Sequence, residues 1–159
     1  MVSEIGEEIT KIAEAWVGVP FRDRGRTRAG VDCANFGGAV FYEAGVLLGI
    51  PKYNYRRGYW KRKPYLILEA VLSAIQCADP KYNIEHIKGR PTHLYPGDLL
   101  LVSQRPGIEA ITHAVIVVEY SGLGVTIVHA RQGGGSMPGQ VEKCLMPAPW
   151  SIREVFRVG

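Results

Sequence analysis

Three residues in this chain have the types that nucleophilic catalysis needs: Cys33, His113 and His129. A thiol attacks as its thiolate, so it needs a base to take the proton. The base in turn needs a partner that fixes its tautomer. Cys33 follows a loop of glycines and short polar residues at 25–32 and precedes a run, 34–45, that reads as a helix. Phe36, Val40 and Ala44 fall at i, i+4 and i+8, with Phe41 on the same face, and Gly45 is placed to end the helix. Cys33 then occupies the first turn, where unpaired N–H groups and the positive end of the dipole favour a thiolate. The dipole contributes roughly 0.3–1 kcal/mol, up to about 2 in a partly buried site. One pKa unit is about 1.36 kcal/mol, so the helix acidifies the thiol by at most about 1.5 units and a histidine is still required. The competing reading makes Cys33 a small buried filler. Against it stand Gly37 and Gly38, which together cost the helix roughly 1.5–2 kcal/mol relative to alanine and point to a backbone or substrate approaching closely.

The two histidines sit at matching places. His113 opens the apolar run 113–118 and His129 closes the run 125–129. If these runs pair as an antiparallel hairpin, the start of one lies beside the end of the other, and a suitable register brings the imidazoles together. A nucleophile, a base and an orienting partner are then all present. The alternative places both histidines as ordinary strand-end residues.

The elements that must position these residues follow from periodicity. Residues 3–17 read as a helix with Ile5, Ile9, Ile12, Ala13 and Trp16 in one stripe and Glu4, Glu7 and Glu8 near its start. A loop over 17–30 leads to the helix at 33–46. Pro64 opens a third helix, 65–75, with Leu68, Val71, Leu72 and Ile75 on one face. Tyr95-Pro96-Gly97-Asp98 is a turn signal. Beyond it the period changes to that of strands, at 99–102, 114–118, 125–129, 141–145 and 154–158. Helices first and an antiparallel sheet afterwards is an α+β pattern.

Composition narrows the class. The 159 residues suffice for a single domain with a real core. No apolar stretch reaches the length of a membrane span. The acidic, amphipathic start lacks the basic and apolar regions of a secretory signal, so the expectation is a protein that stays where it is made or leaves by a route such as lysis. Cys33, Cys77 and Cys144 are odd in number and widely spaced, which implies no disulfide framework. Cys77 and Cys144 read as buried fillers. His86, His93, His113 and His129 show no HExxH or HxH spacing, and no protein-built zinc site or other cofactor is expected. His86 and His93 read as loop residues without partners. A net charge of +4 favours anionic surfaces without identifying one.

Four segments in order resemble the NlpC-type family of papain-like cysteine peptidases, which cut bacterial cell-wall peptides. They are Trp16-Val17-Gly18-Val19-Pro20-Phe21, Gly30-Val31-Asp32-Cys33, Pro96-Gly97-Asp98-Leu99, and the His113 strand with His129. Trp150 and the closing Val155-Phe156-Arg157 are similar to a branch encoded in phages and gene-transfer particles. The resemblance implies a papain-like fold, Cys33 as nucleophile, His113 as general base, His129 as the polar third member, and a peptidoglycan stem peptide as substrate. Phe21, Asp32, Ala34, Asn35 and Thr112 are the candidate substrate contacts around them.

This chain departs from the family in three places. Phe21 stands where the family has a tyrosine whose hydroxyl helps the oxyanion site. Asp32-Cys33-Ala34-Asn35 replaces the usual Asp-Cys-Ser-Gly. The stretch between the cysteine helix and His113 is long. That stretch contains 52–63, with six basic residues, four aromatics and no acid, a composition suited to an anionic wall polymer or to a solvated loop packed on the sheet. Single-stranded nucleic acid is disfavoured. Three activities fit these residues: hydrolysis of an amide through a Cys thioester, acyl transfer or another amidase reaction with the same triad, and a catalytically weak binding or virion module.

Overall fold

The computed structural model describes residues 2–50 and 59–159. The first helix, α1 (Glu4–Ala15), is capped by Ser3, whose hydroxyl accepts from the Gly6 N–H at 3.0 Å, with Glu4 and Glu7 in the first turn. Ile9, Ala13 and Trp16 are buried beneath it. A two-stranded hairpin, β1 (Arg26–Thr27) and β2 (Gly30–Val31), occupies the expected loop and leads into α2 (Cys33–Glu43). Gly45 follows α2 with φ +77, the left-handed conformation that ends a helix. A 3₁₀ turn at Tyr59–Lys61 precedes α3 (Leu66–Ile75). On α3 the buried residues are Ile67 and Val71, while Leu72, expected in the apolar stripe, is exposed. The stripe is rotated because Ile67 shares a face with Val71 at i+4.

Six strands form one antiparallel sheet in the order β3-β8-β4-β5-β6-β7: β3 (Ile84–Lys88), β4 (Leu99–Ser103), β5 (His113–Ser121), β6 (Gly124–Arg131), β7 (Gln140–Leu145) and β8 (Ser151–Val158). Three helices and this sheet give the α+β class. The expected helices and later strands are all present. The strand missed in the sequence is β3, and His86 lies on it. His86 Nε2 is 2.9 Å from Glu154 Oε2 and its ring stacks on Phe156, so it is a partnered sheet residue. The His93 ring packs on Tyr95 and Tyr120.

Both faces of the sheet are apolar. Leu99, Leu101, Ala114, Ile116, Val128 and Phe156 join Phe36 and Val40 of α2 in one cluster, and Leu100, Val102, Val115, Val117, Val125 and Ile127 form a second. Gly37 faces Leu99, whose Cδ1 would lie 2.8 Å from an added Cβ, so the close neighbour is a core leucine and not a substrate. The Tyr95–Asp98 turn is equally tight. Gly97 has φ +94, and a Cβ there would meet the Gly6 Cα at 2.6 Å. Buried Asp98 accepts from the Tyr95 N–H and from Nε and Nη2 of Arg157 on β8, at 2.9, 2.9 and 2.8 Å. This turn therefore locks α1 and β8 to the start of β4. Among the described residues no helix is long and apolar enough to cross a membrane.

Candidate active site

Cys33 is the first residue of α2, as the sequence implies. Its helix is started by Asp32, which accepts from the Asn35 N–H at 2.9 Å through one oxygen and from the Arg24 N–H at 2.7 Å through the other. The Asn35 amide also donates to Asp32, at 3.0 Å. Asp32, Ala34 and Asn35 are buried, and none of their side chains lines the cleft. They cap and pack the start of α2. Two other expected contacts, Phe21 and Thr112, do line it.

The cleft has a volume of about 310 Å³ and takes Cys33, His113 and His129 into one wall system with Phe21, Glu142, Cys144 and Trp150. His113 Nε2 lies 2.7 Å from His129 Nδ1. The register differs in detail from a direct pairing. Ile116 pairs with Val128 and Val117 with Ile127, which carries His129 opposite Val115 and makes His113 its diagonal neighbour on the same face. Long side chains reach across that diagonal, and the rings meet edge to face at 4.9 Å. Trp150 stands edge-on to both, 5.3 Å from His113 and 5.6 Å from His129, and walls the pair off from water.

The chain of hydrogen bonds continues past His129. His129 Nε2 is 3.0 Å from Glu142 Oε1, and Arg131 Nε donates to Glu142 Oε2 at 2.9 Å. These partners fix the tautomers. The carboxylate accepts, so His129 carries its proton on Nε2. Its bare Nδ1 accepts from His113 Nε2–H, which leaves His113 Nδ1 as a free lone pair. Burial works against charge on Glu142, but hydrogen bonds from Arg131 and His129 outweigh it and hold the carboxyl below its usual range. Burial lowers His129, with Glu142 opposing, and burial followed by the neighbouring His129 lowers His113 well below an ordinary imidazole.

Cys33 moves in the direction opposite to the expected acidification. Burial first, and the negative charge of Asp32 second, push the thiol up from 9.0 to about 12. Backbone N–H groups of Cys33, Ala34 and Ala114 pull the other way, and the helix terminus loses to desolvation and its own capping carboxylate. At neutral pH the resting pair is therefore thiol and imidazole, both uncharged.

Several cleft residues were not singled out from the sequence. Glu142 is the ladder partner of His129, and drawing the pairing of 125–131 with 140–145 would have revealed an acid opposite the histidine. Cys144 is no buried filler. It lines the cleft with its sulfur 3.5 Å from His129 Nε2, while Cys77 is exposed. Tyr59 lies next to the cleft residue Thr112. Its hydroxyl lies 3.4 Å from the Thr112 carbonyl, and burial together with the charges of Cys33 and Asp32 raises its pKa. The basic stretch expected to meet a wall polymer lies mostly outside the described residues. In its described part, Trp60 is covered by the Arg105 guanidinium at 4.7 Å. The segment Gln132-Gly133-Gly134-Gly135-Ser136 is closed by reciprocal backbone hydrogen bonds between Gly134 and Met137, and Gln132 lines the cleft.

This arrangement of helix and sheet is found in known structures. The NlpC/p60 domain of the peptidoglycan hydrolase SagA superposes with a TM-score of 0.53 at 18% identity, covering 92% of this chain and 97% of that one. An N-acetylmuramoyl-L-alanine amidase from Bacteroides uniformis ATCC 8492 gives 0.56 at 12% identity, covering 98% and 99%. An NlpC/p60 family protein from Bacillus cereus ATCC 10987 gives 0.53 at 13%, with this chain spanning 39% of its length. No protein-family model and no curated protein sequence matches the chain. The chain thus has the papain-like α+β fold of NlpC/p60 domains.

Proposed function

We propose that the chain, acting as a single domain over 1–159, is a cysteine peptidase that hydrolyses an amide bond in peptidoglycan stem peptides. The observation that carries this reading is the 2.7 Å contact between His113 and His129 in a cleft that also holds Cys33 at a helix N-terminus. Similarity in fold to a peptidoglycan hydrolase domain and to a muramoyl-alanine amidase supports the substrate class.

In the mechanism, His113 Nδ1 takes the Cys33 proton as the sulfur attacks the carbonyl carbon. The imidazolium so formed is stabilised through His129 and, beyond it, Glu142. Backbone N–H groups at the start of α2 face the developing oxyanion, in place of the hydroxyl that Phe21 lacks. Collapse of the intermediate expels the amine, which takes the proton back from His113, and leaves a thioester. Water, deprotonated by the same nitrogen, then releases the acid and the thiol. Proton transfer occurs within the attack step, because burial disfavours a preformed ion pair. The likeness of Trp150 and the closing Val155-Phe156-Arg157 to a branch encoded in phages and gene-transfer particles supports a role in such a particle.

Incubation with defined muropeptides, with products read by mass spectrometry, tests the reading. New free amine and carboxyl ends, absent in Cys33→Ala, are expected. Turnover surviving Cys33→Ala would overturn it, and the nearby Cys144 makes the double variant Cys33→Ala/Cys144→Ala the necessary control. The raised thiol and Phe21 favour a second reading, a weakly catalytic wall-binding module. In that case the wild type binds muropeptides and releases nothing.

A further inference from the structure

The cleft brings together three donor atoms, of which the proposed hydrolysis uses two and leaves the third, Cys144 Sγ, without a role. His129 Nε2 lies 3.0 Å from Glu142 Oε1 and 3.5 Å from Cys144 Sγ, and the three atoms lie within 4.8 Å of one another. The ladder builds this cluster. Glu142 is paired with His129, and Cys144 follows two residues along the same face of β7. Spacing along the chain conceals it, which is why the sequence suggested no metal site.

An imidazole nitrogen, a thiolate sulfur and a carboxylate oxygen are a donor set suited to Zn²⁺. With bonds of about 2.0–2.1 Å to nitrogen and oxygen and 2.3 Å to sulfur, a tetrahedral site has an N···S edge of about 3.5 Å and an N···O edge of about 3.4 Å. The first edge is already present. The second needs an opening of about 0.4 Å, within reach of a carboxylate side chain. Arg131 holds the other oxygen of Glu142, the place an outer partner takes in metal sites, and all three donor residues line the cleft.

We propose that His129, Glu142 and Cys144 form a zinc site whose occupation switches off the histidine pair. The binding follows from the geometry alone, whereas the inhibition rests on the function proposed above. Zinc takes the lone pair of His129 Nε2 and the thiolate of Cys144, whose proton passes to solvent. The Nε2 proton of His129 must move to Nδ1. That nitrogen then donates where it formerly accepted, so His113 must carry its proton on Nδ1 instead of Nε2. The lone pair on His113 Nδ1, which the proposed mechanism uses as the base, is gone. No bond to Cys33 is needed for this effect.

The full chain is titrated with zinc chloride by calorimetry and with cobalt(II) chloride by absorbance. One metal per chain is expected, with a cobalt–thiolate charge-transfer band. The band disappears in Cys144→Ser and persists in Cys33→Ala and Cys77→Ser. Affinity in Glu142→Gln drops at least about tenfold, the lower end of what losing even an outer partner costs. If Cys144→Ser does not fold, Cys144→Ala gives the loss of the band and Glu142→Gln the loss of affinity, with circular dichroism reporting the fold. A band that survives loss of Cys144, or depends on Cys33 or Cys77, overturns the site. Muropeptide cleavage that continues with the site saturated overturns the switch. Zinc binding as described in a protein that cuts no muropeptide leaves the site standing and removes the hydrolase reading.

Discussion

Alkylation of Cys33 measures the balance of forces on its thiol directly. Burial and Asp32 raise its thiol from 9.0 to about 12. Iodoacetamide reacts with the thiolate, so at neutral pH Cys33 carries about a thousandth of the thiolate of an ordinary, equally accessible cysteine. The exposed Cys77 is in the same molecule and serves as an internal reference. Peptide mapping after timed labelling should show Cys77 modified first. The Cys33 rate should climb about tenfold per pH unit and keep climbing beyond the 9.0 at which an ordinary thiol levels off. Asp32→Asn removes the nearby charge while keeping an oxygen able to cap Asn35, so the Cys33 rate should rise with the helix retained. A circular-dichroism melt confirms that the rise is not unfolding. Two results would refute the reasoning: Cys33 labelled ahead of Cys77 at pH 6–7, or a Cys33 profile that levels off below the ordinary value. Either would mean a resting thiolate–imidazolium pair, stabilised by the helix N-terminus more strongly than burial opposes it.

Three further outcomes are expected. Glu142→Gln should reduce muropeptide turnover about 10–100-fold through kcat more than KM, because it releases the His129 tautomer without touching substrate; progress curves at saturating substrate check this. Phe21→Tyr should raise turnover by up to about 10²-fold, or leave it unchanged if the backbone N–H groups already suffice. Asp98→Ala should cost about 3 kcal/mol in urea unfolding, because it leaves the Arg157 guanidinium without its carboxylate and the Tyr95 N–H without an acceptor.

The helices at 4–15, 33–43 and 66–75 were legible because a 3.6-residue period runs through each, with glutamates at the start of the first, Gly45 after the second and Pro64 before the third. The strands around His113 and His129 were legible as dense β-branched runs, and β3 was not. Its sequence, Ile84-Glu85-His86-Ile87-Lys88, alternates too weakly to stand out as an edge strand. The pairing of the two histidines could be reached from their places in adjacent runs, whereas Glu142 and Cys144 depend on the register of a third strand, which no local pattern fixes. The polarity of Cys33 was misjudged for a similar reason. A helix terminus is a local feature, but the burial that overrides it comes from the tertiary packing around it, which no local pattern shows.

The edge of the sheet beside the site has its own consequence. Strand β7 is the last of the six, yet its first half is stitched on the outer side: Gly18 N–H donates to Val141 O, Val141 N–H to Val19 O, and Phe21 N–H to Gly139 O. Beyond Val141, among the described residues, that stitching stops. The segment at 18–21 therefore acts as a clasp, and opening it lets β7 fray while β5 and β6 stay in the body of the sheet. Amide exchange at Val141 should then report the loss of Glu142 from His129 well below the global unfolding temperature. Heat would silence such a protein by unclasping one edge strand, with the core still folded and the damage reversible on cooling.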